Sequence, residues 1–528
     1  MIANGARKKF NVTGLCVPGR HYMVDTSGKI ERIVHDYIEQ GEYFTINRAR
    51  QYGKTTTLSL LEKRMQGSYT VIRMSFEGKE SFFISFDSFC KNISHILTSI
   101  LKEKDPLLSA VWENPISQET PELDFRSRIA ETCKASGNPV VLMVDEVDRA
   151  SGFGVFTTFL GILRDMYLDR NDKGAPAFQS VILAGVHDIK NLKKKIRPDS
   201  EHAYNSPWNI AADFNLDMSF SPPEIETMLD EYENDHHTRM DVPSVAGRIY
   251  YYTGGYPFLV SKICKTIDEN DLGWTLGSVD NAVKELVKER NTLFEDVSKN
   301  VLNNQGLGDI AREILLRGND VQFSIFNPAI DLGAMYGIIT KREGKVAFSN
   351  IIFETVLYDL FISLEDTEGV LKRANEDNSL FIKDGKLDMD TVAARFASFM
   401  KSEYRDEDGD FVEKHARLLF LSFLVPIING AGHYAVEPQT RNNRRMDVVV
   451  FYGKEKFIIE LKIWRGRQYE EDGYAQLAGY LDSQGQKKGW LVSFSGNKTP
   501  PGESGIHEYN GVEIAETIIA FRDKGENL

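Results

Sequence analysis

Apolar residues recur in short β-rich runs over the first part of the chain, at 43–47, 70–76, 139–144, 180–186 and 214–218. Runs of that length read as strands buried on both faces. Between them apolar positions return every three or four residues, as over 82–101 and 155–168, which predicts helices. Strand and helix in alternation give an α/β fold with a parallel sheet covered on both sides. After Ser221-Pro222-Pro223 the pattern turns to amphipathic helices up to about residue 300, broken at Thr253-Gly254-Gly255-Tyr256-Pro257, and predicts a helical lid. Residues 301–365 read as short helices followed by a strand pair at 337–340 and 345–348, a winged-helix pattern. A polar, charged stretch over 366–392 reads as a linker, and 393–528 as a small α/β domain. The expected division is therefore 1–220, 221–300, 301–365, 366–392 and 393–528.

Length and composition narrow the function. A chain of 528 residues with 42% hydrophobic residues holds several cores and is neither a single module nor disordered. The net charge of −14 excludes a wholly basic nucleic-acid binder, so contact with nucleic acid needs a local basic surface. The four cysteines stand far apart with no metal-ligand spacing, which fits the reducing cytoplasm. The greasiest stretch, 418–428, is too short to cross a bilayer, so no membrane association is expected.

The first candidate chemistry is Gly53-Lys54-Thr55-Thr56, placed where a strand hands over to a helix. Backbone N–H groups and the helix dipole converge on an anion there. Lys54 would reach the outer phosphates of a nucleotide, the Thr55 hydroxyl would hold Mg²⁺, and Gly53 lets the backbone come close. Arg48 stands where the usual loop pattern has its first glycine. The second half of such a site is the apolar run 140–144, which ends in Asp145-Glu146. Asp145 would hold Mg²⁺ through water, and Glu146 would polarise the attacking water. His187-Asp188, at the end of the next strand, offer a γ-phosphate sensor.

The segments FTINRARQYGKTTTLSLL, VLMVDEVD, VILAGVHDIKNLKKKIR and YYTGGYPFLV, in that order, resemble AAA-like ATPases close to the signal-transduction ATPases with numerous domains. The resemblance covers about residues 10 to 360. It implies a P-loop ASCE-type core, an Arg-containing loop that accounts for Arg48, and ATP as ligand. It also implies that Gly19-Arg20 and the Gly255-Tyr256-Pro257 turn flank the adenine, and that nucleotide state alters the lid angle or a homo-oligomer. Arg149, Arg164 and Arg197 are the arginine-finger candidates.

The second candidate chemistry lies near the C-terminus. Residues 444–452 read as a strand, Gly453-Lys454 as a two-residue turn, and 456–464 as the returning strand. Tyr452 then faces Glu455, and stepping back along both strands brings Asp447 opposite Glu460, with Lys462 on the same face. Two acids opposed in an apolar hairpin are costly unless a cation sits between them. Mg²⁺, with Mn²⁺ as a substitute, suits such oxygen ligands, and Lys462 would orient water for attack on a phosphodiester.

The spacing D-x₁₂-E-x-K resembles the PD-(D/E)XK nuclease superfamily, which implies a restriction-endonuclease-like domain over about 395–528. The resemblance carries Gln476 over as a residue near the cleaved strand, and Glu437 and Glu413 as supporting acids. Arg441, Arg444, Arg445, Arg465, Arg467, Lys487 and Lys488 make up a basic cluster for phosphate contacts, with Trp464 and Tyr469 available to stack on bases. Taken together, the chain reads as an ATP-driven switch controlling a Mg-dependent nuclease that acts on nucleic acid, DNA above all. The kind of fusion suggests defence against foreign DNA or mobile-element maintenance. The competing reading is an ATP-dependent scaffold whose C-terminal domain binds nucleic acid or protein without cleaving.

Overall fold

The structure is a computed structural model that describes residues 7–117, 119–186, 208–315, 320–366, 380–403, 413–428, 432–436, 448–453, 455–464, 467–495 and 504–520. It divides into two compact units, Met1–Leu286 with Leu332–Ile338, and Val287–Asp331 with Ile339–Leu528.

The first unit is built on four parallel strands, β1 (Tyr43–Asn47), β2 (Thr70–Ser75), β3 (Val140–Asp145) and β4 (Ser180–Gly185), in the order β1-β4-β3-β2. The acid-bearing strand β3 is thus separated from β1 by β4. Every residue of β3 and β4 is buried, which is why these strands are apolar without alternation. Their side chains nevertheless divide by period two. Val140, Leu142 and Val144 join Phe89, Phe125 and Phe159 in one core, while Val141 and Met143 join Ile33, Leu58 and Leu61 in the other. The first core is covered by helices α3 (Phe86–Lys104), α4 (Pro121–Ala135) and α5 (Gly154–Lys173), the second by α1 (Ser27–Ile33) and α2 (Lys54–Arg64). Four of the expected strands thus appear where the sequence places them.

The fifth expected strand, 214–218, does not form. This stretch runs beside β1 with a single bridge, Phe44 to Ala212, and Phe214 stacks on Phe44 at 5.5 Å. Its apolar residues Leu216 and Met218 are buried as a strand's would be, but side chains take the polar backbone groups that a ladder needs. Arg48 Nη2 donates to the Leu216 carbonyl at 2.6 Å, and the Tyr37 hydroxyl donates to the Asp213 carbonyl at 3.2 Å.

The region expected as a lid holds helices α6 (Pro222–His236), α7 (Val242–Thr253) and α8 (Pro257–Glu269). Ser221 and Glu224 form a reciprocal capping box at the start of α6. The N-terminal strand pair Lys9–Phe10 and His21–Tyr22 is bound to the lid by an aromatic cluster, with Phe10 stacked on Tyr232 at 5.2 Å and Tyr232 beside Trp274 at 4.7 Å.

In the second unit, Ile339–Arg342 and Lys345–Phe348 form an antiparallel hairpin through left-handed Glu343 and Gly344. Part of the stretch expected as linker is folded, as a small hairpin of Ile382–Lys383 and Lys386–Leu387 that buries Phe381 and Leu387. The main sheet has six strands. In chain order they are β5 (Gly432–Val436), β6 (Val448–Tyr452), β7 (Glu455–Ile463), β8 (Lys488–Ser495), β9 (Gly505–Tyr509) and β10 (Val512–Ala520), and their spatial order is β5-β6-β7-β8-β10-β9. The first three strands are an antiparallel meander, β7, β8 and β10 are parallel, and β9 pairs antiparallel at the far edge. The helix Arg467–Ser483 supplies the β7–β8 crossover and packs Leu477, Tyr480 and Leu481 on Val449, Ile458 and Leu491. No helix among the described residues is long and apolar enough to cross a membrane.

Candidate nucleotide site and C-terminal carboxylate site

The turn from β1 into α2 contains two left-handed residues, Gln51 with φ 57° and Gly53 with φ 79°. Gly53 caps α2, so the first free N–H groups of the helix open onto the turn. Lys54 is 93% buried, and burial lowers the pKa of its ammonium. Its Nζ donates to the carbonyl oxygens of Arg48 and Ala49, both at 2.9 Å, so the lysine lies folded back along its own loop. Thr55 Oγ1 donates to Asp145 Oδ2, and Thr56 Oγ1 accepts from the Cys16 amide at 3.3 Å. Arg48 is turned the other way, with its guanidinium on the Asn47 and Leu216 carbonyls and over the Phe214 ring at 5.6 Å. Its role here is to anchor the chain beside β1.

Asp145 is buried at the end of β3, and Glu146 follows in the left-handed region with φ 54°. A non-glycine residue in that region costs of order 1–3 kcal/mol and is held by its surroundings. The Glu146 carboxyl is raised above its ordinary pKa first by burial and then by the neighbouring Asp145, with Lys54 opposing both. Asp148 accepts from the Val186 amide at 2.5 Å, and so ties the end of β4 to the end of β3.

Gly53, Lys54, Thr55, Thr56 and Glu146 line one side of a cavity of about 530 Å³, with Asp145 just behind them. Its other walls include Asn11, Cys16, Tyr22, Ile30 and Ile33, together with Phe220, Met228, Pro257 and Phe258. Pro257 lines the cavity, whereas Arg20 is exposed and is not among the lining residues. Arg149 reaches the cavity and lies 3.8 Å from Glu80, while Arg164 bonds Asn209 at 3.1 Å. His187, Asp188 and Arg197 lie outside the described residues. The Asn11–Cys16 wall and the lid residues Phe220 and Met228 carry no sequence motif, since their part is set by chain path alone.

In the second unit the β6–β7 register pairs Tyr452 with Glu455 and Val448 with Ile459, as the two-residue turn dictates. Asp447, one step beyond Val448, and Glu437 lie outside the described residues, as do Arg441, Arg444, Arg445 and Arg465. Glu460 is wholly buried, and Lys462 Nζ lies 3.1 Å from its Oε1. Lys462 pairs with Ser493 across the sheet and sits close under Gly473 of the covering helix. Gln476, on that helix, donates to the Tyr480 hydroxyl at 2.6 Å. Glu413 begins the helix Glu413–Ile428. Lys488 is held between Asp390 at 2.9 Å and Glu513 at 3.0 Å. The sequence does not single out Glu516. It is buried in the same sheet and accepts from Ser493 Oγ at 2.7 Å and from the Tyr474 hydroxyl.

Among the described residues no group of three or more His, Cys, Asp and Glu side chains is placed to hold a metal ion. The Thr55 hydroxyl and the Asp145 carboxylate do bring two hard oxygen donors together, which fits Mg²⁺ coordination completed by water and phosphate.

A family model for the AAA-like domain matches residues 20–359. The chain belongs to the AAA-like domain family. The match takes in Gly53–Thr56, Asp145 and Glu146, and helices α6 to α8, and it ends ahead of the six-stranded sheet. Among solved structures, the Walker-type ATPase of Pyrococcus abyssi is similar at 12% identity, with 66% of this chain and 99% of that one covered and a TM-score of 0.39. The Aeropyrum pernix ORC2 protein, in its ADPNP-ADP complexes, is 12% identical over 67% of this chain and 98% of its own, with a TM-score of 0.33. The Aeropyrum pernix ORC1 protein in complex with DNA is 12% identical over 66% and 97%, with a TM-score of 0.27. A search of curated proteins gives no match.

Proposed function

We propose that this AAA-like protein binds and hydrolyses ATP, and that its nucleotide state controls a magnesium-dependent nuclease domain acting on DNA, with a homo-oligomer as the working form. The observation that carries the ATP half is the meeting of Thr55 with Asp145 at 2.7 Å beside the cavity. On this reading Lys54 leaves the Arg48 and Ala49 carbonyls for the outer phosphates, and the N–H groups at the start of α2 hold the anion. Glu146, half-buried at the cavity wall, accepts the proton of the attacking water. Magnesium, when bound, neutralises charge on the phosphate oxygens that face Thr55 and Asp145.

Support for the nuclease half is the register of the β6–β7 hairpin together with the buried Glu460 beside Lys462. On this reading Asp447, which lies outside the described residues, is the partner acid of Glu460. A defence role against foreign DNA follows from the fusion alone. One observation favours the scaffold reading instead, in which the C-terminal domain binds without cleaving: the Glu460 carboxylate has no exposure to solvent. Incubation of the whole protein with Mg²⁺, ATP and plasmid or single-stranded DNA separates the two. Cleavage by wild type that is lost in Lys462→Ala supports the nuclease; an uncut substrate, or equal cutting by the variant, leaves the scaffold. Lys54→Ala abolishing nucleotide binding tests the ATP half separately.

A further inference from the structure

The lid turn touches the phosphate-binding loop through Tyr256. Tyr256 is 98% buried, its ring meets Tyr52 edge-on at 4.7 Å and 75°, and its hydroxyl donates to the carbonyl oxygen of Arg50. The turn that carries Tyr256 is fixed. Gly254 and Gly255 are left-handed, with φ of 55° and 74°, and the Gly255 carbonyl accepts from the Phe220 amide at 2.8 Å. A methyl group on Gly255 would stand 2.0 Å from the Phe220 carbonyl oxygen, so the turn packs closely against that segment. The tyrosine hydroxyl is therefore a stationary partner for the loop.

That contact orients a peptide plane. No cis peptide occurs among the described residues, so the Arg50 carbonyl and the Gln51 N–H point in opposite directions. Tyr256 is not among the residues lining the cavity, whereas Arg50, Gln51 and Tyr52 are. A carbonyl drawn to Tyr256 is directed away from the cavity, which directs the Gln51 N–H into it. Gln51 is also the left-handed residue of the loop, and a left-handed residue within a turn lets successive N–H groups converge on one anion. Nothing in the local sequence favours that conformation for a glutamine, so an outside contact must hold it.

We propose that Tyr256 is a positioning residue that holds the Arg50–Gln51 peptide so that the Gln51 N–H is aimed in advance at the phosphates of a bound nucleotide. The inference rests on the ATP reading given above. It makes the lid turn a part of phosphate recognition as well as a wall of the base site.

The test is Tyr256→Phe in the full chain, which keeps the ring against Tyr52 and removes only the hydroxyl. Displacement of a fluorescent ATP analogue by ATP, ADP and adenosine is measured for wild type and variant, with urea unfolding of both as a control for folding. The expected result is an affinity about 3- to 10-fold weaker for ATP and ADP, the effect of one lost hydrogen bond, with adenosine unchanged. Equal weakening for adenosine, or no weakening for any ligand, overturns the proposal while leaving ATP binding intact. A wild type that binds none of the three overturns the ATP reading and this inference with it. If the variant's unfolding midpoint falls, Ser85→Ala supplies the second comparison. It removes the N-cap of α3, which accepts from the Ser88 amide away from the loop, and so lowers stability without touching the Arg50 carbonyl. A phosphate-selective loss there as well would overturn the assignment to Tyr256.

Discussion

Thr55 Oγ1 donates a 2.7 Å hydrogen bond to Asp145 Oδ2 across a sequence separation of 90 residues. The bond exists because β1 and β3 are parallel and end at the same level, with β4 between them. If these two oxygens share a magnesium ion in the loaded protein, removing either has the same consequence. Thr55→Ala and Asp145→Asn are each expected to lower ATP turnover by about a hundredfold. Nucleotide affinity measured in EDTA should change little. Steady-state ATPase assays beside metal-free binding measurements check this, and in EDTA the turnover of wild type should fall to that of the variants.

Glu146 gives a pH dependence with a defined sign. Its carboxyl is raised above the usual range first by burial and then by Asp145, and only the ionised form can take a proton from water. ATP turnover is therefore expected to fall as pH drops through a value above the ordinary glutamate pKa, not at it. Glu146→Gln should retain ATP binding at all these pH values and lose hydrolysis by at least about a hundredfold. A pH–rate profile for wild type, set beside binding data for the variant, reads both effects.

How far the sequence could be read depended on the range of the interactions that decide each feature. The β6–β7 register was legible because a two-residue turn fixes it locally, and it placed Tyr452 opposite Glu455 as found. The Lys54 and Asp145 motifs were legible because a loop after a strand and an acid at a strand end are local patterns. The stretch 214–218 was misread because its alternation is real, while Arg48 and Tyr37, distant in sequence, occupy the carbonyls of Leu216 and Asp213. Arg48 itself illustrates the limit. It stands at the position of the usual first glycine of the loop, and its guanidinium is directed at Leu216 and Phe214. The Tyr256 contact with Arg50 left no trace in either local segment.

Asp359 in the second unit accepts from the hydroxyl of the buried Tyr434 at 2.8 Å, while its own side chain reaches solvent. Partial desolvation of the carboxyl raises its pKa from 3.8 to about 6, against the opposing effects of Tyr434 and Lys288. The folded form then holds the proton more tightly than the unfolded chain. This contribution is fully present below about pH 4 and is lost as pH rises toward about 6. Asp359→Asn keeps an acceptor for Tyr434 and removes the charge. It is expected to flatten the wild-type slope between those pH values, by no more than about 1 kcal/mol because solvent screens the exposed carboxylate. Tyr434→Phe removes the hydrogen bond and leaves the carboxylate to water, and should cost about 0.5–1.5 kcal/mol at neutral pH. Urea unfolding of the three proteins at several pH values, compared as differences, measures each effect.

Gly255 offers a test of how rigid the lid turn has to be. Its φ of 74° lies in the region that disfavours a side chain, and an added Cβ would sit 2.0 Å from the Phe220 carbonyl oxygen, which is backbone and cannot rotate away. The Phe220 amide bond to the Gly255 carbonyl ties these two segments together, so the clash cannot be relieved without breaking it. Gly255→Ala is expected to destabilise the first unit by roughly 2–4 kcal/mol, the sum of a strained dihedral and an overpacked contact. Gly14 gives the contrast, because its φ of 61° is also left-handed but nothing lies within 4 Å of an added Cβ. Gly14→Ala carries the dihedral cost alone, about 1 kcal/mol. Denaturant unfolding of the two variants separates the cost of the dihedral from that of the contact with Phe220. Equal losses would mean that the Phe220 segment moves aside freely and that the lid turn is not held in place by it.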